Sequence, residues 1–228
     1  MPISLFGVDK LEPAAVLEAG WQLYAKPTTL EPVGTLFRID ERHRRFVIGE
    51  LAVETREGTE AAAKVEQRLQ ANIGFFARCL GLDSCSGKLS APNAETLEFE
   101  IVSPFREFAF DAAMDKAMAA VLARLQYRAG NRYYVIRETR SATAMTYRLT
   151  QAQLAAIGGE AWLGVALGAG AKVGAGQGGR YEINQTFPQR VRVMFLAEEI
   201  APLKPSLAGR QPVLGRRPVR EPLVWSAG

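Results

Sequence analysis

The stretch GGEAWLGVALGAGAKVGAGQGG, residues 158–179, decides how this chain folds. It holds nine glycines and only two charged side chains. Each glycine costs a helix about 1 kcal/mol relative to alanine, so a helix is disfavoured here. Two runs typical of strands flank the stretch, RYYVIRETRSATAMTYRLT at 132–150 and RYEINQTFPQRVRVMFLAEEI at 180–200. The sequence therefore predicts a long antiparallel β region that has weak conformational preference around its glycines.

The same stretch contains a formal G-x-G-x-x-G at Gly174, Gly176 and Gly179. A dinucleotide site needs that motif to open a helix, so that backbone amides face the pyrophosphate. The residues that follow, YEINQTF, alternate as a strand. We therefore do not expect a nucleotide site, and a glycine-rich loop in a β-sheet protein is the plainer interpretation.

The net charge of +4 is confined to the last 28 residues. This tail, 201–228, holds five basic and one acidic side chain, which leaves residues 1–200 with 23 of each. A nucleic-acid-binding protein usually carries a basic patch on its folded body, so no nucleic acid is expected as a partner. Five prolines exclude regular helix from the tail, which ends in the apolar sequence LVWSAG. We expect an extended peptide that docks on the body through its apolar end.

The rest of the chain predicts an α+β fold, a twisted, mostly antiparallel sheet with several packed helices. Strands are expected within 35–56, 96–110, 132–150 and 190–200. Helices are expected from Asp9 to Gly20, at 60–80 and at 111–126, with a short helical turn at 151–157. The longest predicted helix, 60–80, rests on an apolar stripe at helical spacing: Ala62, Val65, Leu69, Ile73, Phe76 and Leu80.

No catalytic constellation is visible. The single histidine, His43, lies in the charged cluster DERHRR, and neither G-x-S-x-G nor H-E-x-x-H occurs. The two cysteines, Cys79 and Cys85, fit neither a disulfide framework nor a zinc site. We expect no catalytic residue, no metal and no cofactor. The chain begins without a secretory signal and has no apolar run of 18 residues, so a cytoplasmic protein is expected.

The ordered set of elements resembles the pore-forming domain of gasdermins, especially the bacterial ones. The resemblance rests on YYVIRETRSATAMTYRL, a glycine-rich segment that ends in AGQGG, and YEINQTFPQRVRVMFLAEEI. The start of the chain, LFGVDKLEPAAVLEAGWQLYAKP, is similar to the family's opening segment and first helix. The resemblance implies a gasdermin-like domain at 1–200 followed by an autoinhibitory tail at 201–228. Bacterial gasdermins often carry a lipid-modified cysteine near the start, where Ser4 is the nearest counterpart here.

The resemblance implies a function. On this resemblance, a protease would remove the tail, and the released domain would leave the cytoplasm, oligomerise in the inner membrane and refold two regions, 46–110 and 132–197, into hairpins of a large β-barrel pore. The pore would kill the cell in defence against phage. The partners implied are an activating protease, membrane lipids and further copies of the chain, with a monomer in the inhibited state.

Three groups of residues are candidates for this function. The candidate cleavage sites are the tail arginines, Arg210, Arg216, Arg217 and Arg220. The candidate plug that docks the tail is Leu223, Val224 and Trp225. The candidate membrane-inserting residues share strand faces, in which alternate side chains meet lipid: Leu163, Val165, Leu167, Val191, Val193 and Phe195. The alternatives are a soluble α+β ligand-binding or scaffold protein without membrane activity, and an enzyme.

Overall fold

The computed structural model shows a protein built around one antiparallel sheet. The residues that it describes are 20–59, 68–72, 96–102, 104–156, 164, 170–203, 213–219 and 223. Its strands are β1 (Trp21–Thr28), β2 (Thr35–Ile39), β3 (Arg45–Glu50), β4 (Thr55–Thr59), β5 (Arg68–Asn72), β6 (Thr96–Val102), β7 (Phe105–Ala109), β8 (Arg132–Leu149), β9 (Lys172–Ala175), β10 (Tyr181–Pro202) and β11 (Leu214–Pro218). Its helices are α1 (Asp111–Leu122) and α2 (Gln151–Ala156).

The main path of the sheet runs β1-β10-β8-β2-β3. The strands β6 and β7 pair with β8, and β5 and β4 continue outward from them. The strands β9, β1 and β11 follow one another along the outer side of β10. The two long strands, β8 and β10, therefore organise the molecule, because every other strand pairs with one of them or with a neighbour of one of them.

A hydrophobic core covers each face of the sheet at its centre. Successive residues of β8 alternate between the faces, so Tyr134 and Ile136 enter one core while Tyr133 and Val135 enter the other. The first, the aromatic core, contains Tyr24, Phe37, Ile39, Tyr134, Ile136, Phe195, Ala197, Val219 and Leu223. The second, the helix core, contains Val33, Leu36, Leu51, Ala109, Met114, Met118, Tyr133, Val135, Ile200 and Leu214.

The sequence predicted the strands better than the helices. The strands expected within 35–56, 96–110, 132–150 and 190–200 are confirmed, and the helix expected at 111–126 is confirmed from Asp111 to Leu122. The helix expected at 60–80 is wrong at its centre, because β5 pairs there with β6 from Arg68↔Glu100 to Asn72↔Thr96. In a short apolar segment, pairing with the open edge of a neighbouring strand can stabilise a strand even where the apolar residues have helical spacing. The described part of the chain is thus mostly sheet, without several packed helices; the first expected helix falls outside it.

The turn into α2 carries a capping box. The backbone amide of Gln153 donates to the Thr150 Oγ1 at 3.2 Å, and the amide of Thr150 donates to the Gln153 Oε1 at 2.8 Å. This reciprocal pair satisfies two amides at the start of the helix. The short helix that follows β8 is therefore defined locally by its own sequence.

Burial raises the pKa of two tyrosines of the aromatic core well above the ordinary value of 10.0. The Tyr24 phenol is shifted mainly by burial and also by Glu31, whose backbone carbonyl accepts a hydrogen bond from it at 2.8 Å. The Tyr134 phenol is shifted mainly by burial. Both phenols are neutral in the folded chain at pH values at which an unfolded chain would ionise them.

We therefore expect the chain to lose stability as the pH rises above 10.0. A folded-state pKa above the unfolded value contributes stability in full below the unfolded pKa and loses it as the pH rises towards the folded pKa. Thermal unfolding followed by circular dichroism between pH 8 and about 11 would measure the change. Tyr24→Phe combined with Tyr134→Phe should flatten the profile, and an unchanged slope in that variant would contradict the assignment.

Candidate functional site: the tail strand on the sheet edge

The tail adds one strand to the edge of β10. The strand β11 pairs antiparallel with β10 from Glu198↔Pro218 to Pro202↔Leu214. Hydrogen bonds bracket the pair, from the Val219 amide to the Ala197 carbonyl at 3.4 Å and from the Leu203 amide to the Val213 carbonyl at 2.8 Å. By the alternation of an antiparallel ladder, Pro218 faces away from β10, where its lack of an N–H costs nothing. The tail therefore covers an edge of β10 that would otherwise present unpaired backbone groups.

An ion-pair network joins the tail to the helix-core face of the sheet. Arg216 donates hydrogen bonds to the carboxylates of Glu198 and Asp115, the latter on α1. Glu198 also accepts a hydrogen bond from the Arg137 Nη1 at 3.1 Å, and the Arg137 Nη2 lies 2.8 Å from the Asp111 Oδ1. The Glu198 side chain is only 8% exposed, and the two guanidinium groups beside it offset the cost of burying a carboxylate there.

A second ion pair lies on the opposite face. The Arg217 Nε donates to the Glu199 Oε2 at 2.8 Å, and Arg132 donates to the other oxygen of that carboxylate at 3.3 Å. Arg217 is 65% exposed, so this contact contributes little to the free energy of docking. The pair of Arg217 and Glu199 mainly adds a second match of opposite charges next to the pair of Arg216 and Glu198.

Apolar side chains of the tail enter both hydrophobic cores. Leu214 lies in the helix core, whereas Val219 and Leu223 lie in the aromatic core. The Leu223 amide donates to the buried Gln22 Oε1 at 2.8 Å, which fixes the end of the described tail against β1. Gly20 makes this path possible, since a Cβ there would meet the Val219 carbonyl oxygen at 2.6 Å. One short peptide therefore completes the packing of both faces of the sheet.

The candidate cleavage sites fall into two groups. Arg216 and Arg217 lie within β11 and form ion pairs with β10, as described above. Arg210 and Arg220 lie outside the described residues, as do the plug residues Val224 and Trp225. Of the candidate plug, the structure places only Leu223, which is 6% exposed.

The candidate membrane-inserting residues of β10 lie inside the protein. Val191 is 9% exposed, and Val193 and Phe195 are fully buried. The three candidates of the glycine-rich stretch, Leu163, Val165 and Leu167, fall outside the described residues. In the uncut chain, these three side chains of β10 therefore lie in the interior of the protein.

Two charged side chains of β8 are also enclosed. Glu138 and Arg140 are 5% and 7% exposed. Arg106 holds Glu138 through two hydrogen bonds, Arg140 lies 4.3 Å above the ring of Trp21, and Arg148 contacts Glu100 at 2.6 Å. Side chains from neighbouring strands thus enclose these charged groups of β8.

Sequence reasoning missed the receptor for the tail, which is the Glu198–Glu199 pair with Arg137, Asp115 and Gln22. One signal was available. An acidic pair, Glu198–Glu199, and a basic pair, Arg216–Arg217, lie on either side of a proline-containing segment, as opposite charges do in a hairpin. The contributions of Arg137, Asp115 and Gln22 come from distant parts of the chain and carry no local signature.

The described residues include neither a metal-ligand cluster of three or more histidine, cysteine or acidic side chains nor a helix with the length and apolar character needed to cross a bilayer.

No family model matches this chain, and no curated protein matches it significantly. Among solved structures, the chain is similar to a bacterial gasdermin from Bradyrhizobium tropiciagri, with a TM-score of 0.53 and 15% sequence identity. The match covers 87% of each chain. The fold is therefore a large antiparallel sheet of the bacterial gasdermin type. The resemblance seen in the sequence is confirmed at the level of the fold.

Leu223→Ala in the full-length chain should loosen the tail without disturbing the sheet, because it removes a buried side chain at the end of the docked peptide. Truncating a buried leucine costs about 2–5 kcal/mol when the site cannot collapse. The expected result is faster removal of the tail by limited trypsin digestion, followed by mass spectrometry. Val213→Ala is the matched control, since Val213 belongs to the same tail but its side chain is 66% exposed. Equal digestion rates for the two variants would show that Leu223 does not hold the tail.

Proposed function

We propose that this chain is an autoinhibited pore-forming protein that becomes active when its tail is removed. The observation that carries the proposal is the docking of β11 on the edge of β10, with side chains of the tail in both hydrophobic cores. The bacterial gasdermin fold of the body supports the pore-forming part of the proposal. The released body oligomerises in the inner membrane as a β-barrel pore.

Loss of the tail has three physical consequences. The outer side of β10 from Ala197 to Pro202 loses its strand partner, and an open strand edge is a template for pairing with another chain. The aromatic core and the helix core each lose a cover. Glu198 keeps Arg137 but loses Arg216, so one guanidinium remains for a carboxylate that had two. Each change raises the free energy of the isolated body relative to an assembled one.

The remaining parts of the proposal follow the same sequence of events. The uncut chain is a cytoplasmic monomer, a host protease is the activating partner, and membrane lipids receive the assembled bodies. Death of the cell then limits the spread of a phage. The side chains of β10 and the glycine-rich stretch leave their present environment to form the pore strands.

The segment 204–212, which connects β10 to β11, is the best place for the activating cut. It contains Arg210, a residue that a trypsin-like or arginine-specific caspase-like protease would accept. A protease binds its substrate as an extended, unpaired strand, and Arg216 and Arg217 are already engaged with β10. A cut at 204–212 separates the whole docked peptide from the body.

The test is a chain that can be cut on demand. A recognition sequence for a site-specific protease replaces part of 204–212, and the purified protein is added to dye-filled liposomes of bacterial polar lipids. We expect leakage only after the protease is added, and no leakage from a chain whose inserted sequence is scrambled. Cut protein that loses the tail, retains its circular dichroism spectrum and leaves liposomes intact would favour the ligand-binding or scaffold alternative.

A further inference from the structure

The strand β3 forms the end of the main sheet path opposite β1 and β10. It pairs with β2 on one side, and no strand of the described chain pairs with its other side. Val47 and Ile48 of β3 are 51% and 41% exposed. Edge strands of monomeric proteins usually carry charge or proline where they could pair with another chain. Two adjacent exposed apolar residues on such an edge indicate a surface suited to a partner.

The sequence of β3 repeats that of the tail strand. The residues Arg44-Arg45-Phe46-Val47 correspond to Arg216-Arg217-Pro218-Val219, with one difference at the third position. In the tail, these four residues lie opposite Ile200, Glu199, Glu198 and Ala197 of β10. The edge of β10 therefore already binds a strand with this pattern of charge and apolar side chains.

In β3 and in the tail, the backbone N–H and C=O groups point to the outer side at the same positions of the shared motif. The Asp40 amide donates to the Arg44 carbonyl at 3.0 Å, so by alternation Phe46 bonds to β2 while Val47 directs its amide and carbonyl to the other side. In the tail, the Val219 amide points to the Ala197 carbonyl. With the two motifs aligned, Val47 presents its backbone groups to β10 as Val219 does.

The side chains also match in face. Val47 lies directly opposite Phe37, a member of the aromatic core, and therefore projects to that face of the sheet. Val219 occupies the same aromatic core. A β3 strand docked in the tail's place would thus put Val47 where Val219 was and continue the same face from one molecule to the next.

The even number of strands from β3 to β10 allows the same contact to form between successive copies. Four strands, β3, β2, β8 and β10, run antiparallel in that order. A copy related by rotation about an axis along the strands presents its β3 antiparallel to the first copy's β10, because the number of strands is even. The contact joins two different edges, so it can close into a ring.

From these observations we propose that the edge of β10 vacated by the tail, Ala197–Ile200, receives the outer edge of β3 from a second copy. The proposal rests on the proposed function, since it requires that the tail leaves. The docked strand is short, because Leu196 already pairs with Trp21 of β1. Tail and second copy compete for one surface, which makes the tail an inhibitor of assembly.

Charge is a smaller contribution that favours replacement of the tail by β3 of a second copy. Glu198 and Glu199 lose Arg216 and Arg217 with the tail, and the arriving strand brings Arg44 and Arg45. These arginines have ion pairs of their own, Arg44 with Asp40 at 2.7 Å and Arg45 with Glu31. Arg44 is 52% exposed, so its present pair is weak and can be shared.

A disulfide between the two edges tests the proposal. Phe46 and Glu198 would face each other in a non-hydrogen-bonded pair, in which Cα atoms lie about 4.5 Å apart, within the range of about 4.4–6.8 Å for disulfides. The chain carries Phe46→Cys and Glu198→Cys, with Cys79→Ser and Cys85→Ser to remove the native thiols, and the cleavable segment at 204–212. After cutting on liposomes and mild oxidation, non-reducing gels should show a ladder of multimers. The uncut chain loses one ion pair through Glu198→Cys but keeps the three core side chains of the tail, so it should give a far weaker ladder than the cut chain. Either single-cysteine chain should give dimers at most.

Leakage of the same liposomes separates this proposal from the proposed function. A ladder supports the edge contact whether or not dye escapes, and a ladder without leakage would argue against the pore alone. Leakage without a ladder overturns the edge contact and leaves the pore standing. Absence of both overturns both.

A second variant guards against a folding defect in the cysteine chains. Val47→Asp changes an exposed residue, so the uncut chain should keep its melting temperature. In cut protein, burying the carboxylate against the aromatic core should lower the yield of assemblies in detergent about tenfold. Leu30→Asp, at a residue 71% exposed, is the control and should assemble like the parent. Parent-like assembly of Val47→Asp would overturn the proposal.

Discussion

Cells that express residues 1–210 stop forming colonies, whereas cells that express the full-length chain grow normally: this is the expected result of removing the tail strand. The tail places Leu214, Val219 and Leu223 in the two cores, and full burial of one such side chain stabilises by roughly 1.5–3 kcal/mol. It also pairs the edge of β10 and shares the charge of Glu198. Truncation removes all of these contacts together, so the effect on colony number should be large.

Plating efficiency after induction measures the effect. Coexpression of residues 211–228 as a separate peptide should restore growth in part, because the peptide can occupy the same edge. A peptide with Val219→Asp and Leu223→Asp should restore none. Normal growth of cells that contain folded 1–210 protein at full-length levels would remove autoinhibition from the proposal.

Val165→Arg should abolish leakage by the cut chain, which is the second large effect that we expect. If 161–168 extends as a pore strand, Val165 faces lipid together with Leu163 and Leu167. An arginine on the lipid face of a barrel strand costs roughly 2–4 kcal/mol at the bilayer midplane, and the cost recurs in every subunit of the pore. Dye release from liposomes, with circular dichroism of the uncut protein as the folding control, would measure it.

Gly164→Arg provides the contrast on the opposite face of the same strand. In the uncut chain, Gly164 is exposed and a Cβ there would meet nothing within 4 Å, so arginine is accommodated. In the pore it would face the aqueous lumen, where charge costs little, and leakage should persist. Full leakage by Val165→Arg would exclude this stretch from the lipid-facing strands. Loss of leakage in both variants would instead show that the stretch tolerates no large side chain.

The parts of the fold that were predictable are those in which a local pattern and the sheet agree. Alternation placed β2, β8 and the end of β10, and the helix expected at 111–126 matches α1. The stripe at 60–80 misled because β5 forms by pairing with β6, and pairing depends on a distant segment. The enclosure of Glu138 and Arg140 was equally hidden, since it depends on Arg106 of β7 and Trp21 of β1.

The candidate site was predictable in outline only. Proline content and the terminal apolar residues pointed to an extended docked peptide, and the structure places Leu223 in the aromatic core. The strand register, the Glu198–Arg216 contact and the role of Gly20 required the folded body. Composition reveals that a peptide can dock, whereas the receiving surface exists only after distant strands have come together.

The connection between β10 and β11 has a consequence for how a single cut can act. While 204–212 is intact, the tail and its receptor belong to one molecule, which corresponds to an effective concentration of roughly millimolar order. Cutting the segment breaks none of the docking contacts, but it makes rebinding bimolecular. For a chain present at about 1 μM, the ratio of docked to open molecules would then fall by about a thousandfold, or roughly 4 kcal/mol. In the proposed function, the body is released because the separated tail is dilute. At a high concentration of cut protein, a fraction of the bodies would bind a tail again, and leakage would begin later.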